Sequence, residues 1–118
     1  MHPFAPQPID HIIATAQPQS AAYVLAPADL TYLYKGSARN LPERLKNHRA
    51  GLVSRTKNHR PLVVVHFEYF DTYTEAKQRE LYFKSGAGRE WIKRRLFSGQ
   101  TGQTVPPTGA ARPTADPP

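Results

Sequence analysis

The chain contains no cysteine. That rules out disulfides and thiolate metal sites, and it fits a reducing compartment. It also has no apolar run approaching the length of a membrane span, and no basic start leading into an apolar segment. Neither a spanning helix nor a secretory leader is expected, so the expectation is a cytoplasmic protein. Acidic residues are scarce too, with 9 Asp and Glu against 16 Lys and Arg in 118 residues. The imbalance is concentrated: residues 21–97 hold 15 of the basic side chains and 7 of the acidic ones. A basic domain between nearly neutral ends suggests an anionic polymer as partner, the bland alternative being an unspecialised basic surface. No internal repeat is visible.

Proline divides the chain. Nine of the 12 prolines lie before residue 21 or after residue 97. Residues 98–118 are rich in Gly, Thr, Pro, Ala and Gln without apolar periodicity, so they bury too little surface to offset the entropy of ordering and are expected to be a disordered tail. The tail is also the candidate attachment point for a protein partner. Residues 1–20 are read as an extension, partly ordered at most, in which Ile9, Ile12 and Ile13 can touch the domain while Pro3, Pro6, Pro8 and Pro18 prevent a long helix. Residues 21–97 are the domain.

Within it, Tyr23-Val24-Leu25 and Leu30 to Tyr34 have strand composition and hairpin spacing across Pro27-Ala28-Asp29. A turn is expected at Gly36. Asn40 is then placed to cap a helix with Pro42 in its first turn and Glu43 three residues after the cap, and Gly51 is placed to end it. On that helix Leu41, Arg44, Leu45 and His48 share a stripe. An arginine and a histidine on a packing face are either a boundary pair, Arg44 snorkelling outward, or parts of a site. The following loop carries Arg55, Lys57, His59 and Arg60, and is either a phosphate contact or a solvated connector. Leu62 to Phe70 is the strongest strand pattern and the expected central or most covered strand, with His66 and Glu68 on one face. Thr72 and Glu75 form a capping box for a helix over Tyr73 to Lys84, on which Ala76, Arg79, Glu80 and Phe83 share a stripe. Glu80 either pairs with Arg79 or Arg44 or anchors a hard divalent cation. Ser85-Gly86-Ala87-Gly88 breaks that helix, and a last one follows over Arg89 to Phe97. The fold class is α/β: a small three-stranded antiparallel or mixed sheet flanked by helices.

Several of these residues recur together elsewhere. Tyr23 in Ala-Tyr-Val, Tyr34-Lys35-Gly36-Ser37 eleven residues later, Asn40-Leu41-x-x-Arg44-Leu45-x-x-His48, Ala76-x-x-Arg79-Glu80 and Lys84-Ser85-Gly86-x-Gly88-Arg89-Glu90 resemble, in order and spacing, the GIY-YIG nuclease superfamily. The similarity is to its small single-domain bacterial, excinuclease-like members. The resemblance implies a metal-dependent endonuclease acting on DNA in repair, at branched, damaged or single-stranded sites, with Mg²⁺ or Mn²⁺ as cofactor. It assigns catalysis to Tyr23, Tyr34, Arg44, His48 and Glu80. One tyrosine would activate water, Arg44 would hold the scissile phosphate, His48 would assist in hydrogen bonding or proton transfer, and Glu80 would be the protein's metal ligand. Lys35, Arg39, Arg55, Lys57, Arg60, Lys84 and Arg89 are the candidate nucleic-acid contacts. The motifs depart from the family name in Ala-Tyr-Val and in Lys35, and the loop offers Ser54, Thr56 and His59 without a secure assignment. The alternative is a non-catalytic nucleic-acid-binding module of the same fold.

Overall fold

The computed structural model describes residues 4–101. Its elements run β1 (Gln7–Pro8), α1 (Ile9–Thr15), β2 (Ala21–Pro27), β3 (Tyr34–Ala38), α2 (Leu41–Arg49), a 3₁₀ turn (Lys57–His59), β4 (Leu62–Tyr69), α3 (Tyr73–Lys84) and α4 (Gly86–Thr101). The sheet is antiparallel with strand order β1-β4-β2-β3. The three expected strands are there, and a two-residue strand from the extension adds a fourth on the outer edge of β4.

β4 and β2 are both interior strands, but the more covered of the two is β2, not β4. Ala21 to Ala26 are all fully buried, whereas the second half of β4 is only partly covered. Apolar content pointed to β4, but three alanines let two layers close tightly over β2, and position in the ladder decided burial. Ala21, Tyr23 and Leu25 face α1 and α2, packing with Ile9, Ile12, Leu41 and Leu45. Ala22, Val24 and Ala26 face α3 and α4, packing with Val65, Phe83, Ile92 and Leu96.

The hairpin is shifted from its expected register. Leu30 has a φ of 61°, and Asp29 takes both the backbone N–H and the hydroxyl of Thr31, at 3.2 and 2.7 Å. A side chain that captures a ladder donor delays the strand, so β3 starts at Tyr34 and runs through Gly36 instead of turning there. Gly36 pairs with Tyr23, whose ring lies against it so closely that a Cβ at this position would sit 2.6 Å from the phenol.

A bulge in the pairing of β2 with β4 has a second consequence. The register steps from Val24 opposite His66 to Leu25 opposite Val64, so Val65 is the extra residue and the parity of β4 changes there. Val63 and Val65 face α3 and α4, and so do His66 and Glu68 beyond the bulge.

The helix boundaries follow their signals. Asn40 accepts from the Glu43 N–H at 3.2 Å, Gly51 with a φ of +82° ends α2, and Thr72 and Glu75 complete the capping box of α3. The break before α4 is a single residue, Ser85, whose hydroxyl accepts from the Gly88 N–H at 3.0 Å. The extension is better packed than its prolines suggest, with Ile9 and Ile12 in the core and Asp10 paired to Arg49 at 2.9 Å. At the other end α4 continues to Thr101, past the boundary expected at Phe97. Residues 102–118, which hold most of the expected tail and its proposed partner contact, lie outside the described residues.

Candidate active site

Alternation along β2 and β3 places Tyr23 and Tyr34 on the α2 side of the sheet, with ring centroids 6.3 Å apart. The stripe of α2 brings His48 to both, at 5.5 Å from the Tyr23 ring and 5.2 Å from the Tyr34 ring. His48 is fully buried, so it is no boundary residue. Its Nε2 lies 2.8 Å from the Tyr23 hydroxyl and its Nδ1 2.8 Å from the hydroxyl of buried Thr56. Because Thr56 Oγ1 points its proton at the Val53 carbonyl, 3.4 Å away, it is left to accept from Nδ1–H. The tautomer this network selects carries a lone pair on Nε2, so Tyr23 donates to His48.

Arg44 completes the cluster from the next turn of α2. Burial works against its charge, but the hydroxyls of Tyr23 and Tyr34 outweigh that and hold its pKa above the ordinary value. Tyr23 is held well above the usual phenol range, by burial first and then by neighbouring Tyr34, with Arg44 opposing. His48 is pushed down to about 4 by burial and by the Arg44 charge, so it is a neutral acceptor at ordinary pH.

Arg44 also opens onto a cleft of about 370 Å³ lined by Ser37, Ala38, Arg39, Asn40, Glu43, Arg44, Asn47 and Tyr73. The cleft wraps the exposed edge of β3. On its far side the Ser37 hydroxyl donates to Glu80 Oε1 at 2.5 Å. Glu80 pairs with neither Arg44 nor Arg79. Its oxygens hold Lys77 at 3.3 Å and Lys84 at 2.6 Å. Burial alone would raise its pKa, but Lys84 and Ser37 more than reverse this, and the carboxyl is held below its ordinary range. A family model described as the GIY-YIG catalytic domain matches residues 19–94, which contain every residue of this cluster. The chain belongs to the GIY-YIG family.

Relatives agree with that placement. The chain is 40% identical over 81 residues to a UPF0213 protein of Natronomonas pharaonis, covering 68% of this chain and 92% of that one. It is 41% identical over 63 residues to a UPF0213 protein of Listeria innocua, covering 52% and 69%. A UPF0213 protein of Pediococcus pentosaceus is 39% identical over 72 residues, covering 60% and 75%. No solved structure matches. A GIY-YIG domain places the chain in a nuclease family, and no helix among the described residues is long and apolar enough to cross a membrane.

The basic residues expected on this GIY-YIG surface fall into two groups. Arg55 and Lys57 are exposed on the loop after α2, and Arg39 is exposed on the cleft, its guanidinium 4.4 Å from the centre of the Tyr73 ring. Others are engaged with the protein itself. Arg60 donates to the carbonyls of Lys57 at 3.0 Å and Arg49 at 3.2 Å, and its guanidinium lies against Gly51. Arg89 donates to the Lys84 carbonyl at 2.6 Å, closing the end of α3, while Lys84 holds Glu80. Lys35, on the opposite face of β3 from Tyr34, has its pKa lowered by partial burial and then by Arg89, Lys84 and Lys93. Ser37 and Thr56 were not singled out for these roles. Ser37 stands directly after the glycine of the second motif, and alternation from Tyr34 would have put it on the Glu80 side. Thr56 carries no comparable signal, since only the folded loop brings it to His48.

The His48 environment has a measurable consequence. Its pKa falls from 6.5 unfolded to about 4 folded, so between those values the unfolded chain binds more protons and stability rises with pH. The stabilisation is complete above 6.5 and lost as pH drops toward 4. Urea-unfolding midpoints should decline across this interval in the parent protein and decline less steeply in His48→Gln. Equal slopes would show that His48 is not held neutral.

Proposed function

We propose that the chain is a divalent-metal-dependent endonuclease that hydrolyses DNA phosphodiester bonds, including those in branched, damaged or single-stranded regions. The observation that carries this reading is the buried Thr56–His48–Tyr23 hydrogen-bond chain with the Arg44 charge beside Tyr23, next to a cleft on whose wall Ser37 bonds an ionised carboxylate. A resting phenolate at Tyr23 is disfavoured by burial, so Tyr23 works as a relay. It would take a proton from the attacking water while passing its own to Nε2 of His48, with Nδ1–H fixed on Thr56; because burial and the Arg44 charge disfavour an imidazolium at rest, this transfer depends on the negative charge that the bound phosphate brings to the site. Arg44 binds the scissile phosphate and offsets the negative charge that grows as the water oxygen bonds phosphorus and the ester oxygen leaves. Tyr34 orients that guanidinium.

Glu80 suits a hard cation. Its carboxylate is ionised, has a hydroxyl beside it, and belongs to no group of three or more His, Cys, Asp or Glu among the described residues. That fits Mg²⁺ or Mn²⁺ better than a metal needing a full protein cage, because Mg²⁺ keeps several waters and takes one or two carboxylates plus substrate oxygens. Glu80 would hold the ion, and the ion would supply charge neutralisation at the phosphate. The half-exposed Lys77 and Lys84 would have to release the carboxylate. Their presence on both of its oxygens favours the second reading, a nucleic-acid-binding module in which Glu80 is only a structural ion-pair partner.

One experiment separates the two. Labelled single-stranded, duplex and branched DNA are incubated with the protein in Mg²⁺, Mn²⁺ or EDTA, beside Glu80→Ala. The nuclease reading expects cleavage that needs the metal and is lost in Glu80→Ala. It also expects binding in EDTA to stay within about twofold of the parent, because removing a carboxylate does not weaken a cationic surface. Salt-sensitive binding with no cleavage by the parent under any condition would leave only the binding module.

A further inference from the structure

Outside the catalytic cluster, two rings are stacked face to face at the mouth of the same loop. Tyr32 and His59 lie 4.0 Å apart with an interplanar angle of 8°. Both are only partly covered, and among the described residues neither stacks on another ring. Neither side chain forms a hydrogen bond among the described residues, and the one charge His59 interacts with there is the exposed Asp29 carboxylate, so neither the hydrophobic core nor the hydrogen-bond network accounts for the stacking of the two rings. Its location is specific. Tyr32 precedes the site tyrosine Tyr34 by two residues, and the His59 N–H donates at 2.9 Å to the carbonyl of Thr56, the residue that fixes His48. Exposed Arg55 and Lys57 precede His59 on the same loop.

A partly open aromatic stack beside cations suits a strand whose bases are free to leave their own stack, since every base offers a π-face and the phosphates between bases need positive charge. A duplex hides its base faces and could use only the cations. We infer that Tyr32 and His59 form a stacking subsite for an unpaired nucleobase next to the scissile phosphate, making this loop the feature that favours single-stranded or unpaired segments over intact duplex. The inference rests on the nuclease reading for its substrate, while its test needs no catalysis.

Binding is measured in EDTA by fluorescence anisotropy with three probes: a short single-stranded oligodeoxynucleotide, the same strand with abasic residues, and the corresponding duplex. Tyr32→Leu should weaken binding to the intact single strand roughly tenfold, the loss expected for one base–aromatic stack. It should leave the abasic strand and the duplex unchanged, and Tyr32→Phe, which keeps the ring, should bind like the parent. His59→Gln should repeat the pattern of Tyr32→Leu, so a folding defect in one variant does not decide the result. Tyr32→Leu binding the single strand as the parent does would overturn the inference. So would equal losses on all three probes, which would mean the stack only positions the loop, or a parent that binds none of them. A parent that shows the expected pattern but never cleaves with metal would sink the nuclease reading and leave the subsite intact.

Discussion

Replacing Arg44 with alanine is expected to lower the rate of DNA cleavage by about 10² to 10³, the range for removing one fixed charge-stabilising donor from a site. The loss should appear mainly in kcat. Arg44 faces both site tyrosines and the cleft, so in the proposed reaction it would act where charge develops, whereas affinity would also draw on Arg39, Arg55 and Lys57. Arg44→Lys should recover only part of the rate, because a single ammonium cannot do what a planar fork set between two hydroxyls and a bound phosphate would do. Thermal stability should change little, since Arg44 stands at the edge of the core. Single-turnover cleavage with saturating protein measures the effect. A fall of less than about threefold would remove Arg44 from the chemistry.

The second large effect concerns the opposite layer of the sheet. Glu68→Ala is expected to destabilise the domain by about 3–5 kcal/mol, the cost of leaving a buried charge without its partner. The charge is Arg79, which is 5% exposed and donates to Glu68 at 2.9 and 3.2 Å. Its guanidinium carbon lies 4.9 Å from the ring centres of Tyr82 and Trp91 and 5.1 Å from that of Phe83, so little water reaches it. Among the described residues its Nη1 has no hydrogen-bond partner. Since single domains have only about 5–15 kcal/mol of stability, the substitution should bring this one close to unfolding. Converting the pair together, Glu68→Leu with Arg79→Met, should restore most of the loss. Chemical denaturation of the two single variants and the double variant measures the coupling, and additive losses would refute it. The pH dependence has a definite sign as well. Burial would raise the Glu68 pKa, but His66 and Arg79 outweigh it and depress the value, so this stabilisation is present above 4.5 and disappears as pH falls through the lower folded pKa.

Much of this was legible in the sequence where local chemistry decides. Asn40, Gly51, Thr72 and Glu75 act through their nearest neighbours, so the ends of α2 and α3 followed from residue type. Helical periodicity likewise put Arg44, His48, Arg79 and Glu80 on packing faces, and charged or polar groups in such places signalled partners. The partners themselves were less visible. Glu80 was read as either the partner of Arg79 or Arg44 or the anchor of a divalent cation, and its protein partners are Ser37 and two lysines, because which side chains cross a sheet edge depends on the register of β3. That register was misplaced by one side chain, Asp29, capturing the N–H of Thr31. The contact of Glu68 with Arg79 depends on the bulge at Val65, a single extra residue with no sequence mark of its own. Composition also favoured β4 over the alanine-rich β2 as the most covered strand, since it records how apolar a strand is and not how closely its neighbours approach.

The cleft turns around an edge, so its two halves belong to different floors of the molecule. Tyr23, Tyr34, Arg44 and His48 sit with α2, while Glu80 rides on α3 across β3, joined to the strand through Ser37. No side-chain bond ties the guanidinium to the carboxylate. A phosphodiester seated between them would be the clasp that links the two floors, so productive spacing would be reached only with the nucleic acid in place, and the empty protein would be a pair of jaws without a bite.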